Sequence, residues 1–420
     1  MKLRSRLVDP IFLLLAMIFS YSISFNVHAT CKLLISNQLF DGVNEPVANM
    51  AVLVEDDKVK QVGPSEQLLG LCGNKINLGD ATILPGFIES HAHITFQNVR
   101  KDKVLEHGIT TAQDTGGPLL PPQGGLGSLR LLSTGPIIQA EGGYPLNIFT
   151  HPSPGGAYDQ IGYMISPTST KTQVEDVVQH LVDGGATAIK ISLENGNKTT
   201  EIGAPWLQPH GADPVPEGPW PMLSLKKVQW IVAKAHALDR RVIAHVGEQK
   251  GFDRALAGGV DELAHMPCAA ISLESLNEAA HSDVTIVTTI DTLGSCAGVH
   301  QNAHNLAHIM EHHGGGGSKF SYGSEIGHDN VPWGINGEEM HLMMHLTGMS
   351  VVDIFRSATS KAGERLGIPG LGTLTPGAPA DIIAVKGNPF EKFKLLEYPD
   401  LVMSGGRIVV NKFKATVTNN

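Results

Sequence analysis

The sequence predicts an α/β protein: a (β/α)8 barrel of the TIM type, carrying a small β-sandwich assembled from both chain ends. Three observations carry this expectation. The middle of the chain, 85–371, alternates short apolar β-prone runs with helix-sized stretches. Both ends are β-rich and lack a helical period. Finally, no Gly-rich nucleotide turn follows any of the early strands, which argues against the open doubly wound sheet, the nearest rival.

The chain begins with Lys2, Arg4 and Arg6, then an apolar stretch from Ile11 to Ile23, then Val27-His28-Ala29. Basic, apolar and small-residue regions in that order read as a signal peptide over 1–29. The expectation is export to the periplasm or medium, with no stable membrane span, because the apolar stretch is short for a spanning helix. Cys31 follows the cleavage site, yet Thr30 before it makes a lipoprotein a weak reading.

Residues 30–84 contain strands at Cys31–Ser36, Ala51–Glu55 and Lys58–Val62, with Asp56-Asp57 as a hairpin turn and a helical turn near 65–70. The stretch 372–415 resembles it, with strands at Ala380–Val385, Leu401–Ser404 and Arg407–Val410, the last two joined at Gly405-Gly406. In an oxidising compartment Cys31 and Cys72 are the favoured disulfide pair, since both fall in the N-terminal β-rich segment. Cys268 and Cys296 read as small buried apolar residues.

Between the ends, strands are expected at Ile83–Glu89, Thr110–Asp114, Ile137–Ala140, Thr187–Ile191, Arg241–Ala244, Glu262–Ala264, Thr285–Thr289 and Lys319–Ser324. Helices are expected at 98–107, 172–183, 224–238, 251–258, 271–280, 297–313, 337–347 and 350–366. The Gly-rich stretch 115–135 is less definite. Two long connections, 141–170 and 193–223, are rich in Gly, Pro and aromatics (Tyr144, Phe149, Tyr158, Trp206, Trp220) and read as lids over a site at the strand C-terminal ends.

Those strand ends carry chemistry. The first runs into His91-Ala92-His93, and alternation along a strand points both imidazoles to one side. Imidazole is the commonest transition-metal side-chain ligand. The fourth embeds Lys190 in Ala188-Ile189-Lys190-Ile191, where an unpaired ammonium is costly. The fifth ends in His245 and the sixth in His265. The eighth ends in Tyr322-Gly323-Ser324-Glu325, with Asp329 four residues on. Any one of these has an ordinary structural reading. All at the same end of successive strands, they read as a cage for two divalent metal ions: His91 and His93 on one, His245 and His265 on the other, Lys190 bridging as a carbamate. Nitrogen and oxygen donors suit zinc and tolerate manganese, cobalt or iron. A second series, His300, His304, His308 and His312, recurs every four residues on the seventh helix. It reads as a solvated outer helix face, with a metal-binding stripe as the alternative.

The chain resembles the amidohydrolase superfamily, near its imidazolonepropionase-like and prolidase-like members. The resemblance rests on Pro85-Gly86-Phe87-Ile88-Glu89-Ser90-His91-Ala92-His93, Gly185-Ala186-Thr187-Ala188-Ile189-Lys190-Ile191, Ala244-His245-Val246, Ala264-His265-Met266-Pro267, and the tail from Leu371 to Ile383. It implies a metal-dependent hydrolase of amide bonds in a dipeptide, an N-acyl amino acid or a cyclic amide. Lactone or phosphotriester hydrolysis on the same site, and a non-catalytic binding protein, are the alternatives. The family's eighth-strand motif ends Gly-Thr-Asp or Gly-Ser-Asp, whereas this chain has Gly323-Ser324-Glu325. Glu325 is therefore the expected metal-touching general base, and Asp329 the alternative. Tyr144 stands where family members often place a substrate contact. The partner implied is a small-molecule substrate. The net charge of −10, spread without basic blocks, argues against nucleic acid. Assembly into a homo-oligomer is compatible with the sequence.

Overall fold

The computed structural model describes residues 30–149, 160–196, 216–312 and 319–413. The signal-peptide reading of 1–29, and Tyr158 and Trp206 in the expected lids, lie outside these residues.

The chain opens with β1 (Cys31–Leu39), β2 (Val47–Glu55) and β3 (Lys58–Pro64), an antiparallel meander turning at Asp56-Asp57. A single helical turn, α1 (Ser65–Leu68), leads to β4 (Lys75–Asn77) and β5 (Ala81–Pro85), both parallel to β1. The sequence places one strand across Ile83–Glu89. The structure divides it at Gly86, and the physical reason is visible there. Gly86 N donates to Asp381 O, in the sheet of the chain ends, while Phe87 N donates to Gly108 O, in the next sheet. A Cβ at Gly86 would meet the Thr110 side chain at 2.2 Å, so only glycine lets the chain cross.

Beyond the crossing come β6 (Phe87–Ala92), α2 (Lys101–Glu106), β7 (Ile109–Asp114), β8 (Gln123–Gly125), β9 (Ser128–Ser133), β10 (Ile137–Ala140) and β11 (Gly162–Ile165). The alternation then becomes regular: α3 (Lys171–Asp183), β12 (Ile189–Ser192), α4 (Leu225–His236), β13 (Val242–His245), α5 (Gln249–Gly258), β14 (Glu262–Leu263), α6 (Leu273–His281), β15 (Thr285–Val287), α7 (Ala297–His312) and β16 (Phe320–Ser321). Among the described residues, β6, β7, β9 and β8 form one sheet, and β11, β10, β12, β13, β14, β15 and β16 another. Every pair is parallel except the β8–β9 hairpin. Hydrogen bonds cross from one sheet to the other at both seams. Thr187 N donates to Ser133 O, and His93 N donates to Ile326 O, just past β16.

Local chemistry explains why these helices start where they do. Thr170 and Gln173 form a capping box on α3, and Ser224, Ser272 and Asn336 cap α4, α6 and α8 (Gly337–Thr347) through side-chain oxygens. Two expectations are corrected. The stretch 115–135 holds the β8–β9 hairpin and no helix, because Gly124, Gly125 and Gly127 all adopt positive φ. The single helix expected over 350–366 is two, α9 (Val351–Ser357) and α10 (Ser360–Arg365), broken at Thr359. There Ala358 O accepts from Ile88 N of β6 and leaves the helical path.

The chain returns as β17 (Ile382–Lys386), β18 (Leu401–Ser404) and β19 (Arg407–Asn411). β17 pairs antiparallel with β5, so both chain ends share one eight-stranded sheet. Lys58 in β3 also bridges Pro379, and Leu34, Val52, Ile83, Ile382 and Met403 pack in the sheet's own core.

Cys31 and Cys72 are bonded, with Cα atoms 5.9 Å apart. Cys268 and Cys296, read from sequence as free buried thiols, are bonded as well, 5.1 Å apart at Cα. Asn302 of α7 donates to Pro267 O and Ala269 O and draws the loop after β14 onto the start of α7. No spacing signal announces that contact, since α6 lies between. Closing a loop of 28 residues stabilises by about 3.5 kcal/mol in chain-entropy terms. Cys268→Ser with Cys296→Ser is accordingly expected to lower unfolding free energy by about that amount in a urea titration; an unchanged midpoint would show that the bond is absent or inert.

Candidate metal centre

The histidines stand at or just past the C-terminal ends of their strands, and Lys190 stands within its strand. His91 lies in β6 and His93 one residue beyond it, with ring nitrogens Nε2 3.4 Å apart. Lys190 is the second residue of β12, His245 the last of β13, and His265 lies two residues past β14. Parallel register puts Lys190 opposite Ile243 and Ser192 opposite His245, so Lys190 stands two residues deeper along its strand than His245 does along its own. The four imidazoles converge: ring centroids are 4.5 Å apart for His91–His265, 5.0 Å for His245–His265 and 5.0 Å for His91–His93.

Glu325 enters from the segment after β16. Its Oε1 stands 3.3 Å from His93 Nε2 and 3.9 Å from His91 Nε2, and its Oε2 3.7 Å from His265 Nδ1. It holds a left-handed backbone, φ 59°, uncommon for a residue with a Cβ and typical of functional turns. Ligand atoms of His91, His93 and Glu325 all lie within 4.8 Å of one another. Asp329, the alternative base, is exposed and does not line the cavity.

Burial sets the protonation states. It holds the His91, His93 and His265 imidazoles below their usual range, aided by the neighbouring Lys190 cation, so they are neutral, which is the ligating form. Lys190 is almost fully buried, and desolvation brings its amine down to about 7 against the pull of Glu325 and Glu262. For Glu325, burial alone works upward, but His265, His93 and His328 outweigh it and hold the carboxyl well below its ordinary range.

The donor set fits metal ions on a further observation. Lys190 Nζ, His245 Nε2 and Glu325 Oε2 are buried and make no hydrogen bond among the described residues. Such groups ordinarily find partners. Here all three residues line the same cavity, the pattern expected where cations complete the shell.

Sequence reasoning missed several supports. Glu194, two residues past β12, is buried with Oε2 3.5 Å from His245 Nε2. Its Oε1 accepts from Gly196 N. Glu89 accepts from His91 N, Ser324 N and Ser324 Oγ and so ties β6 to the segment carrying Glu325. Burial raises Glu89 to about 7. Asp114, at the end of β7, accepts from Ile94 N and Thr95 Oγ1 and fixes the turn after His93. Thr289 Oγ1 reaches His265 Nδ1 at 3.2 Å. A polar residue at a strand's C-terminal end was the available signal for Asp114, Glu194 and Thr289. Tyr144, the expected substrate contact, lines the cavity, and its ring stacks on His245 at 4.6 Å. Phe96, Phe149, Ile161 and Trp220 pack beside it.

Parallel strands with histidine, lysine and carboxylate at one end define a TIM-barrel-like α/β protein with a metal-type centre. A profile of the amidohydrolase family matches residues 82–409, and the chain belongs to that family. Ochratoxinase of Aspergillus niger is 24% identical over 234 residues, 53% of this chain and 48% of that protein. The chain thus aligns with about half the length of this curated relative. Among solved structures, A. niger ochratoxinase superposes with TM-score 0.67 at 18% identity, covering 91% of this chain and 96% of that one. An Xaa-Pro dipeptidase with bound methionine gives 0.67 at 20%, covering 90% and 99%. A prolidase complexed with N-methylphosphonate-L-proline gives 0.68 at 19%, covering 91% and 100%. At these identities the superpositions establish the fold.

Glu194→Gln removes a charge beside His245 without changing shape. Metal affinity is expected to fall about 10–100-fold, as for other outer-shell carboxylates, with the melting temperature of the metal-free protein little changed. Unaltered affinity would remove Glu194 from the centre.

Proposed function

We propose that the chain is an exported amidohydrolase that cleaves an amide bond of a small substrate, a dipeptide, an N-acyl amino acid or a cyclic amide, with two divalent metal ions, zinc by preference. The observation that carries the proposal is the convergence of four imidazoles, a buried lysine without a hydrogen bond, and Glu325. Family membership supports carbon–nitrogen hydrolysis. The superposed Xaa-Pro dipeptidase favours dipeptides among the three classes. In this reading the two parallel sheets close into one barrel through the seams at Ser133 and Ile326, and the sheet of the chain ends is the small accessory domain. Two disulfides suit an oxidising compartment, which supports export to the periplasm or medium.

His91 and His93 would hold one ion and His245 and His265 the other. The neutral amine of Lys190 could add to the carbon of carbon dioxide with loss of a proton, and the resulting carbamate would supply oxygen ligands to the ions. An amine brought to about 7 supplies the neutral form at physiological pH. Bound ions of this kind lower the pKa of a coordinated water from about 16 to near 7 and polarise a carbonyl. Glu325, ionised at neutral pH, accepts the water's proton and returns it to the departing amine nitrogen. Tyr144 and the aromatic residues around it screen the reacting carbonyl from bulk water.

Lys190→Ala is expected to lose the paired ions and nearly all turnover of Xaa-Pro dipeptides and N-acyl amino acids; wild-type-like turnover would remove the bridge. Glu325→Gln should cost about 10²–10⁴ in kcat while Asp329→Asn costs little, and the reverse order would reassign the base. Lactones and phosphotriesters in the same assay test the alternative chemistries. Carbon dioxide adds only to the neutral amine, so bicarbonate-dependent metal uptake by stripped protein should rise as pH climbs through about 7. Uptake independent of pH between 6 and 8 would contradict a carbamate at Lys190.

A further inference from the structure

A second cluster of histidines lies on the outer helices. His304, His308 and His312 are exposed on α7, four residues apart, and His341 and His345 are exposed on α8. The two helices pack together. His308 and His312 point their Nε2 atoms at each other across 3.3 Å, with ring planes 82° apart. His304, His308 and Glu311 of α7 share one surface cavity with His345 of α8.

Two nitrogens each about 2.05 Å from a tetrahedral zinc stand about 3.3 Å apart. The His308–His312 separation matches that spacing, and the pair sits one helical turn apart, where two side chains reach the same point. A third and fourth donor are at hand around the cavity, from His304, Glu311 and His345. Their imidazoles are solvent-facing, so an ion arriving from outside meets no barrier of buried chain.

We propose that α7 and α8 carry a second transition-metal site, distinct from the centre at the strand ends, in which His308 and His312 chelate the ion. His345, with His304 or Glu311, completes the shell and clamps α8 to α7. The class of ligand is a divalent ion that favours imidazole, such as zinc, nickel or copper. The site stands on the geometry of the outer helices and does not rest on the proposed hydrolytic function.

The test uses the tag-free full chain, stripped of metal, and Ni²⁺ alone as the probe in a calorimetric titration at pH 7.5. Wild type is expected to take up one more ion per chain than His308→Ala with His312→Ala, and to be retained on an immobilised-nickel column from which the double variant elutes. Far-UV circular dichroism and the metal-free melting temperature of the double variant should equal those of wild type, which shows that it folds. His91→Ala with His93→Ala should keep the outer-helix uptake, so failure of the hydrolytic reading and failure of this one are separable. Equal ion uptake by wild type and the His308/His312 double variant would overturn the proposal, the 3.3 Å contact then being a hydrogen bond between rings. His345→Ala distinguishes a clamp from a one-helix chelate. Loss of the nickel-induced rise in melting temperature supports the clamp, and an unchanged rise overturns it.

Discussion

The centre is governed by the cost of removing titratable groups from water. Four imidazoles, an amine and a carboxyl are packed at one end of parallel strands, and nearly all are buried. Left charged and alone, such groups are expensive. Burial answers part of the cost by keeping the imidazoles neutral and by bringing Lys190 to about 7. What remains is polar atoms without a hydrogen bond among the described residues, at Lys190 Nζ, His245 Nε2 and Glu325 Oε2. A protein interior tolerates that arrangement when something else completes it. In the proposed reading, metal binding is the counterpart of that folding cost.

Around this centre the chain places groups whose work is positional. Glu89 holds β6 to the segment of Glu325, Asp114 holds the turn after His93, and Thr289 reaches His265 from a left-handed backbone. Deeper among the same strands, Glu262 joins Arg241 and Arg365, and Arg365 reaches Ser90 beside His91. Arg365 belongs to α10, the element just before the chain turns back to the terminal sheet. The helix break at Thr359 allows this, since Ala358 is drawn onto β6. The catalytic end, the ionic cluster below it and the return to the terminal sheet are mechanically connected through β6.

Much of this was legible in the sequence. Apolar runs carrying His91, Lys190, His245 and His265 mark strands and candidate ligands at once, because a buried parallel strand is apolar and polar residues gather at its C-terminal end. Both β-rich ends could be joined on composition alone, and β5 pairing with β17 realises it. What escaped is instructive. Gly86 was hidden inside a continuous apolar run, since a crossing between sheets depends on a contact with Thr110 that no local pattern encodes. The β8–β9 hairpin was masked by glycines that suit loops equally well. The Cys268–Cys296 bond joins residues separated by a helix. Glu194 was passed over because a lone carboxylate after a strand carries little signal until His245 is seen beside it. The histidine series on α7 read as a wet helix face, and only the ring geometry of His308 and His312 gives it a second meaning.

The central claim is that the strand-end cluster is a two-ion centre bridged by a modified Lys190. Anomalous diffraction at the metal absorption edge, on crystals of the purified chain, tests it most directly. The account predicts two peaks, one within bonding reach of His91 and His93 and one of His245 and His265, with extra density continuous with Lys190 Nζ between them. A bare lysine amine with no anomalous peak among these residues would contradict it.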